Sequence, residues 1–405
     1  MLLKIYNLTL FFSYPVIILF KLISYFKIIR FGIITPTRVG HLVGELALWH
    51  LENLNTNKKI LNIWYVPNKT CNNFFIKKMS KKINITKNFF FKFLFDIFKK
   101  FEEKKFLITG PSHGERDINS LISKNPNIIE FSEEEIELGN YNLAKMGINK
   151  NDEFVCITIR DNFYFKNFLK DKYSYKSFEF KNSDIENYNK AVKLLNKKNI
   201  KVIRMGIGSE KKWSLSDNKL NIDYSRSEFR SGFMDFFLVN KAKFIITNGT
   251  GFYWIPYILK KPLVMADFIP VANLCSYVPN SIHIFKHLYS KRKSRHLFLE
   301  ELLSEEFNSI YREKDFSLKD LDYIDNNSDE ILDCVQEMND LIDRNIKNNN
   351  KNILNNSMQS QFWNLMPKKT IKHSQIIDSH KIINAKIGSN FLKKQFEANS
   401  SSQHT

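Results

Sequence analysis

The sequence predicts an α/β fold built from two successive βα domains. Short apolar runs bounded by turn residues alternate with helix-like segments, which is the pattern of parallel sheets covered on both faces. One series of runs begins at about Phe31 and a second at about Phe154, with the polar hinge 149–152 between them. Two such domains leave a cleft, and clefts bind ligands.

The composition favours a globular protein with a polyanionic partner. The chain has 405 residues, 43% of them apolar, and a net charge of +19. That charge suits nucleic acid, an acidic membrane or phosphorylated substrates. The basic tract 286–295 has no nucleic-acid-binding signature around it, so nucleic acid is disfavoured and a solvated or membrane-facing surface is favoured. The four cysteines form no CxxC, which indicates the reducing cytoplasm.

The N-terminal residues 1–30 predict an apolar helix at a membrane interface. Residues 8–20 carry no charge before Lys21. As a helix this run spans about 20 Å, short of the roughly 30 Å hydrocarbon core, unless Lys21 and Lys27 snorkel and extend it. We therefore expect the helix to lie in the interface with its lysines at the headgroups. The alternative is an ordinary buried N-terminal helix.

The first βα domain is predicted over residues 31–150. Residues 31–35 and 60–66 read as strands with a helix at 42–54 between them, and residues 106–109 read as a third strand. Ser132 followed by three glutamates predicts the start of a linker helix that Gly147 ends.

The second βα domain is predicted over residues 151–294. Its strands are expected at 154–159, 201–205, 244–247 and 262–266, with helices at 183–196 and 233–239. Residues 295–405 are predicted to form a helical extension and a polar tail, with a linker at 345–356.

The loop Asn248-Gly249-Thr250-Gly251 is the strongest candidate for binding a phosphate. It follows an apolar strand and precedes an apolar helical run. Backbone N–H groups at a helix N-terminus have no partner inside the helix, and glycines let an anion approach the main chain. The alternative is a tight turn that binds nothing.

Three further residues extend this candidate donor site. Arg160 follows the first strand of the second domain, while Arg204 and Gly206 end the second strand. Arginines at these strand ends can bind a diphosphate through two hydrogen bonds each. The alternative for Arg160 is an ion pair with Asp161.

The loop that follows the first strand supplies the catalytic candidates. His41 and Glu45 can take a proton near neutral pH when their pKa values are tuned, and Asp161 is the third catalytic candidate. Arg38 in the same loop is expected on the acceptor side. The alternative is that His41 caps the helix and Glu45 is solvated.

A second acceptor-side loop is expected after the third strand of the first domain. It contains His113, Arg116 and Asp117. No metal site is expected, because the single tight Asp-x-Asp, at Asp320 and Asp322, follows a charged stretch rather than an apolar strand. Protease, serine-hydrolase and P-loop signatures do not occur in the sequence.

Several motifs together resemble a family of bacterial glycosyltransferases of surface polysaccharide synthesis. They are RVGHL at 38–42, FVCITIRD at 154–161, KVIRMG at 201–206, NGTG at 248–251 and the closing NAKIGSNFL at 384–392. The resemblance runs from about Phe31 over nearly the whole chain. It departs from the family where Lys181-Asn182 replaces an arginine before asparagine, and where the first loop lacks a long glycine run.

The resemblance implies a GT-B architecture, in which two Rossmann-like domains face each other across a cleft. It implies that the second domain binds a nucleoside diphosphate sugar as donor substrate and that the first binds a glycan or lipid-linked acceptor. The expected activity is metal-independent glycosyl transfer, without a cofactor, at the cytoplasmic membrane face. Three alternatives remain: a nucleotide-sugar epimerase, a nonenzymatic membrane-associated scaffold and a basic nucleic-acid binder.

Overall fold

The structure, a computed structural model, describes residues 13–55, 59–111, 116–169, 175–308, 310, 312–345, 353–372 and 375–402. The chain divides into two compact units, Met1–Glu115 (unit 1) and Arg116–Thr405 (unit 2). Among the described residues, no helix combines the length and the apolar character that crossing a membrane requires.

Unit 1 contains a three-stranded parallel sheet in the order β1-β2-β3. Its strands are β1 Ile28–Ile33, β2 Ile60–Tyr65 and β3 Asn84–Thr86, and its helices are α1 Tyr14–Ile23, α2 Val39–Glu52, α3 Asn73–Met79 and α4 Phe89–Lys100. Helix α2 connects β1 to β2 and α3 connects β2 to β3, as in a βαβ unit.

The sequence-based prediction of the third strand of unit 1 is wrong. Residues 106–109 form a single bridge, in which Leu107 pairs with Phe31. A 3₁₀ turn at Lys104–Phe106 precedes the bridge, and Pro111, which has no N–H to donate, follows it. The actual third strand, β3, was missed because it has three residues and only Ile85 among them is apolar.

Unit 2 is built on a seven-stranded sheet in the order β15-β9-β8-β7-β4-β5-β6, and every neighbouring pair in it is parallel. Its strands are β4 Phe154–Thr158, β5 Lys201–Arg204, β6 Asn221–Ile222, β7 Ile245–Thr247, β8 Leu263–Phe268, β9 Ser281–Phe285 and β15 Ala385–Ile387. Every residue of β4, β7, β8 and β9 is buried. The apolar runs predicted the first three of these strands, whereas β9, which alternates with Ser281 and His283, was not predicted.

The described helices of unit 2 are α5 Leu121–Lys124, α6 Glu133–Lys145, α7 Phe163–Phe168, α8 Asn189–Lys197, α9 Gly232–Lys241, α10 Trp254–Ile258, α11 Leu299–Leu303, α12 Glu305–Asn308, α13 Glu313–Leu318, α14 Ser328–Asp343, α15 Ser357–Leu365 and α16 Ser389–Ser402. Helix α14 packs against α8, β8 and β9, while α9 packs against β4. The predicted cap of α6 is confirmed, since Ser132 and Glu135 form a reciprocal capping box.

The stretch from residue 295 onward contains strands as well as helices. Five short strands lie in or next to it: β10 His287–Ser290, β11 Arg295–His296, β12 Leu321–Ile324, β13 Lys369–Lys372 and β14 Gln375–Asp378. Strand β15 comes from this stretch too and pairs with β9. The expectation of a purely helical extension was incomplete, because the final strand completes the edge of the main sheet.

Candidate functional site

Unit 2 has a topological switch point between β4 and β7. Strands β5 and β6 lie on one side of β4, whereas β7, β8 and β9 continue on the other side. In open parallel sheets, ligands bind in the crevice outside the carboxyl ends of the strands at such a point. Two loops predicted to bind the donor leave the sheet here, because residues 159–161 follow β4 and residues 248–251 follow β7.

The side chain of Asn248 joins three segments at the switch point. It is buried, and its Oδ1 accepts the backbone N–H of Arg160 at 3.0 Å. Its Nδ2 donates to the carbonyl of Lys181 at 3.1 Å and to the hydroxyl of Ser183 at 3.0 Å. Because both ends of the amide are engaged with protein atoms, Asn248 positions the loops.

The loop after β7 presents backbone donors. Gly249 adopts a left-handed φ of +71°, and a Cβ there would lie 2.7 Å from the ring of Phe268, so only glycine fits. The Thr250 hydroxyl accepts the N–H of Phe252 at 3.2 Å. Within the described ranges, the N–H groups of Gly249, Thr250 and Gly251 donate to no protein atom. They are therefore available to an anion.

The helix that follows this loop is short. A 3₁₀ turn at Gly251–Tyr253 leads into α10, which has only five residues. Lys260 then adopts a left-handed φ of +55° and Pro262 follows, which ends the helix. Such a short helix sums few peptide dipoles. Any anion at this loop is therefore held by individual N–H groups more than by a helix dipole.

The carboxyl end of β4 contributes a hydroxyl and a guanidinium. Thr158 Oγ1 is buried and has no hydrogen-bond partner among the described residues. Arg160 is half-buried; its Nη1 donates to the carbonyl of Phe178 at 2.6 Å, and its Cζ lies 5.0 Å from the centre of the Phe165 ring. A buried hydroxyl without a described partner calls for an explanation, and a bound polar ligand is one.

The candidate catalytic residue Asp161 holds backbone in place. One of its carboxylate oxygens accepts the N–H of Phe163 at 2.9 Å, at the start of α7. The other accepts the N–H of Glu210 at 2.8 Å. This second bond ties the loop after β4 to the loop after β5.

Arg204 lies inside unit 2 with its charge balanced by protein groups. Its side chain is 5% exposed, lies 3.7 Å from the Asp223 carboxylate and donates to the carbonyl of Lys211 at 3.0 Å. Burial lowers the pKa of its guanidinium, and Asp223 opposes that shift. Gly206 follows with φ +131°, a conformation that favours glycine. These contacts indicate that Arg204 shapes the loop after β5.

Sequence reasoning missed the segment that borders the switch point, residues 178–183. Ser183 donates its N–H to the carbonyl of Arg160 at 3.1 Å. Lys286, which is buried after β9, donates to the carbonyl of Asn182 at 2.6 Å and to Asp325 at 2.5 Å. The departure at Lys181-Asn182 was the one sequence signal here. That departure concerns side chains, whereas residues 178–183 contact the switch point mainly through backbone N–H and carbonyl groups.

Unit 1 brings three predicted residues together in the first turns of α2. The His41 Nδ1 and the Glu45 carboxylate lie 2.8 Å apart, at the i and i+4 positions of the helix. The His41 Nε2 lies 3.4 Å from Nη1 of Arg38. Because Glu45 can only accept when ionised, it favours the tautomer with the proton on Nδ1. In this tautomer the lone pair is on Nε2, where it accepts the Nη1–H of Arg38; a base role requires an acceptor hydroxyl to take the place of Arg38 at Nε2.

The second expected acceptor-side loop is divided by the unit boundary. His113 lies outside the described residues. Arg116 belongs to unit 2 and donates to the carbonyls of Asn273 and Leu274 at 2.9 and 3.0 Å. Asp117 is buried and accepts from three groups, which are the N–H groups of Leu121 and Ile122 and the hydroxyl of Tyr257. The placement of these two residues in a first-domain loop is thus corrected, because both are built into the packing of unit 2.

The acidic pair that sequence analysis set aside forms ion pairs. Asp320 pairs with Arg292 at 2.7 Å and Asp322 pairs with Lys291 at 2.9 Å. Among the described residues, no group of three or more His, Cys, Asp or Glu side chains has the arrangement of a metal site.

No protein-family model matches the chain, and no curated protein matches it. Solved structures similar to it include the following three. E. coli ADP-heptose LPS heptosyltransferase II has 12% identity and a TM-score of 0.42, over 78% of this chain and 99% of that chain. A glycosyl transferase family 9 protein from Veillonella parvula has 12% identity and a TM-score of 0.39, over 64% and 86% of the two chains.

The third similar structure is TibC from enterotoxigenic E. coli, described as an iron-containing dodecameric glycosyltransferase. It has 11% identity and a TM-score of 0.37, over 79% of this chain and 78% of that chain. With TM-scores below 0.5, these similarities assign neither substrate nor activity to this protein.

Proposed function

We propose that this protein is a glycosyltransferase that moves a sugar from a nucleoside diphosphate sugar to a glycan or lipid-linked acceptor in surface polysaccharide synthesis. One observation carries the proposal. At the switch point of unit 2, the three N–H groups of residues 249–251 have no acceptor in the part of the chain that the structure describes, and they lie on the loop that Asn248 ties to Arg160. Backbone donors and a guanidinium are the groups that bind a diphosphate.

In this proposal the leaving diphosphate is stabilised by the protein, without a metal. The Arg160 guanidinium and the N–H groups of Gly249, Thr250 and Gly251 offset the negative charge that develops as the sugar departs. The Thr158 hydroxyl, buried without a partner among the described residues, supplies a further donor. Arg204, Gly206 and Asn248 support these groups by fixing the loops that carry them.

We propose that the acceptor hydroxyl loses its proton to His41. Glu45 holds the imidazole through Nδ1 and stabilises the imidazolium that forms, so that Nε2 acts as the base. Arg38, 3.4 Å from Nε2, restrains the ring and adds positive charge near an anionic acceptor. Asp161 acts indirectly, through the backbone that it joins. His113 remains a proposed acceptor-side residue.

The first test identifies the donor and the reaction. Thermal unfolding is measured with UDP-, GDP-, ADP- and CMP-linked sugars, because a ligand bound by the native state raises the unfolding temperature. The stabilising donor is then incubated with and without lipid-linked and free glycans. Sugar transfer that requires an acceptor supports the proposal. Isomerised sugar without an acceptor identifies an epimerase instead, and salt-dependent binding of DNA or RNA with no nucleotide-sugar binding identifies a nucleic-acid binder.

The second test addresses Arg160. We expect Arg160→Ala to weaken nucleoside diphosphate binding about thirtyfold, since a charge-assisted hydrogen bond contributes about 2 kcal/mol. Arg160→Lys keeps the charge but loses the planar guanidinium fork. Its affinity for the nucleoside diphosphate should therefore lie between those of the wild type and Arg160→Ala. Isothermal calorimetry measures the affinities. Arg292→Ala, which removes an exposed arginine paired with Asp320, is the control. Equal affinity for the wild type and Arg160→Ala contradicts the assignment.

A further inference from the structure

Helix α1 of unit 1 has one face committed to the protein core. Ile17 is buried, and Val16 and Phe20 pack on the same cluster. The ring centre of Phe20 lies 5.2 Å from that of Phe98 and 5.6 Å from that of Phe31. These contacts fix the rotation of α1 about its axis, so its opposite face is defined as well.

The opposite face of α1 is apolar and exposed. Leu22 is 58% exposed and Phe26, in the turn after the helix, is 83% exposed. We call this surface the α1 face, and its exposed side chains are Tyr14, Ile18, Leu19, Leu22, Tyr25 and Phe26. The spacing of 14, 18 and 22 places three of them in one row along the helix. A contiguous apolar patch of this kind marks an interaction surface.

The charge of unit 1 indicates what covers the α1 face. Residues 1–115 contain 18 Lys and Arg and 6 Asp and Glu, a net charge of +12 out of +19 for the whole chain. Lys27 is exposed beside the face, and Lys21, which pairs with Glu103 at 2.5 Å, is exposed next to it. Two copies of unit 1 meeting through this face would bring two strongly positive bodies together. A bilayer with anionic headgroups has the complementary charge and accepts apolar side chains.

We propose that the α1 face docks this protein onto an anionic lipid bilayer, with α1 lying along the surface. The six exposed side chains enter the boundary between headgroups and acyl chains, where tyrosine and phenylalanine rings partition well. Lys21, Lys27 and the other cations of unit 1 remain at headgroup level. The docking surface involves none of the residues that form the switch point of unit 2, so it stands whether or not the protein transfers sugars.

Vesicle cosedimentation of the full chain tests the proposal. We expect binding to phosphatidylcholine vesicles that contain phosphatidylglycerol, little binding to phosphatidylcholine alone, and a decrease as salt rises. Leu22→Glu and Phe26→Glu should each weaken binding about tenfold or more, because they place a carboxylate in the docking face. Leu318→Glu is the matched control, since Leu318 is 72% exposed in unit 2; it should bind like the wild type.

Three outcomes overturn the proposal. The first is no binding to anionic vesicles by the wild type, and the second is equal binding by the Leu22→Glu and Leu318→Glu variants. The third is a concentration-dependent dimer that Leu22→Glu dissociates, which would make a second copy the occupant. Circular dichroism and thermal unfolding show that each variant is folded. Nucleoside diphosphate affinity, measured on the same samples, separates failure of docking from failure of the proposed donor site.

Discussion

Asn248 is the residue on which the switch point depends most directly. Its amide accepts from Arg160 and donates to Lys181 and Ser183. The sequence marks Asn248 as part of a loop that can bind phosphate. It cannot show which groups the side chain reaches, because those contacts depend on β7 lying beside β4. Strand order is a property of the whole sheet, and the local pattern does not encode it.

Alanine substitutions at Gly249 and Gly147 separate the free-energy cost of a left-handed φ from the cost of steric crowding. Gly249→Ala adds a Cβ at φ +71°, 2.7 Å from the Phe268 ring, whereas Gly147→Ala adds one at φ +77° with nothing within 4 Å. We expect Gly147→Ala to reduce the free energy of unfolding by about 1 kcal/mol and Gly249→Ala by about 3 kcal/mol. Urea titration measures both. Equal losses would mean that the Phe268 ring moves aside freely.

The two predicted arginines have different surroundings, which their similar positions in the sequence did not reveal. Arg160 is half-buried and stacks near Phe165. Arg204 is buried against Asp223, nineteen positions further along the chain. A motif can place an arginine at the end of a strand. Whether a carboxylate from another loop meets it is decided by tertiary packing.

At the scale of elements, the strength of the local signal decided which predictions held. The α6 cap followed from Ser132 and the glutamates after it, and strands β4, β7 and β8 followed from apolar runs. Strand β3 was not predicted, because it has three residues and only Ile85 among them is apolar. The apolar helical run after the loop is confirmed as the short helix α10, which ends at Ile258 because the backbone turns at Lys260.

Strand β9 carries a buried histidine that makes stability depend on pH. Burial lowers the pKa of His283 to about 3. The unfolded chain binds this proton near pH 6.5. The neutral ring therefore contributes stability that is complete above about pH 6.5 and is lost as the pH falls toward 3. Between about pH 7 and pH 5, we expect His283 to account for a loss of about 2 kcal/mol in the free energy of unfolding.

Replacing this histidine isolates its share of the pH dependence. His283→Gln cannot titrate in this range, so urea titrations at the two pH values should show a smaller difference for the variant than for the wild type. His380, whose pKa is also lowered to about 3, chiefly by burial and to a smaller extent by His283, still titrates in the variant, so part of the pH dependence remains. An unchanged pH dependence in the variant would exclude His283 as the source.

At the scale of the whole molecule, the proposed donor and acceptor functions are assigned to different units. His41 belongs to unit 1 and Arg160 to unit 2. We expect His41→Ala to lower kcat by a factor of about 10² to 10⁴, as for loss of a general base, with little change in nucleoside diphosphate affinity. Steady-state kinetics and calorimetry on one preparation measure both quantities.

Glu45 and Arg160 provide the comparisons for that prediction. Glu45→Gln should keep the histidine in place while weakening its basicity, so its kcat should lie between those of the wild type and His41→Ala. Arg160→Ala should lower nucleotide affinity as described above. If His41→Ala loses nucleotide affinity as strongly as Arg160→Ala does, the division of roles between the two units is wrong.

The pairing of β15 with β9 has a consequence for how this protein is made. Ala385 pairs with Ser281 across about one hundred intervening residues, so the outer edge of β9 stays unpaired until residues 385–387 have been synthesised. An unpaired edge exposes N–H and C=O groups that other chains can bind. During translation, β9 is therefore an exposed sheet edge while these residues are still missing, and a chain interrupted before them would keep that edge available for aggregation.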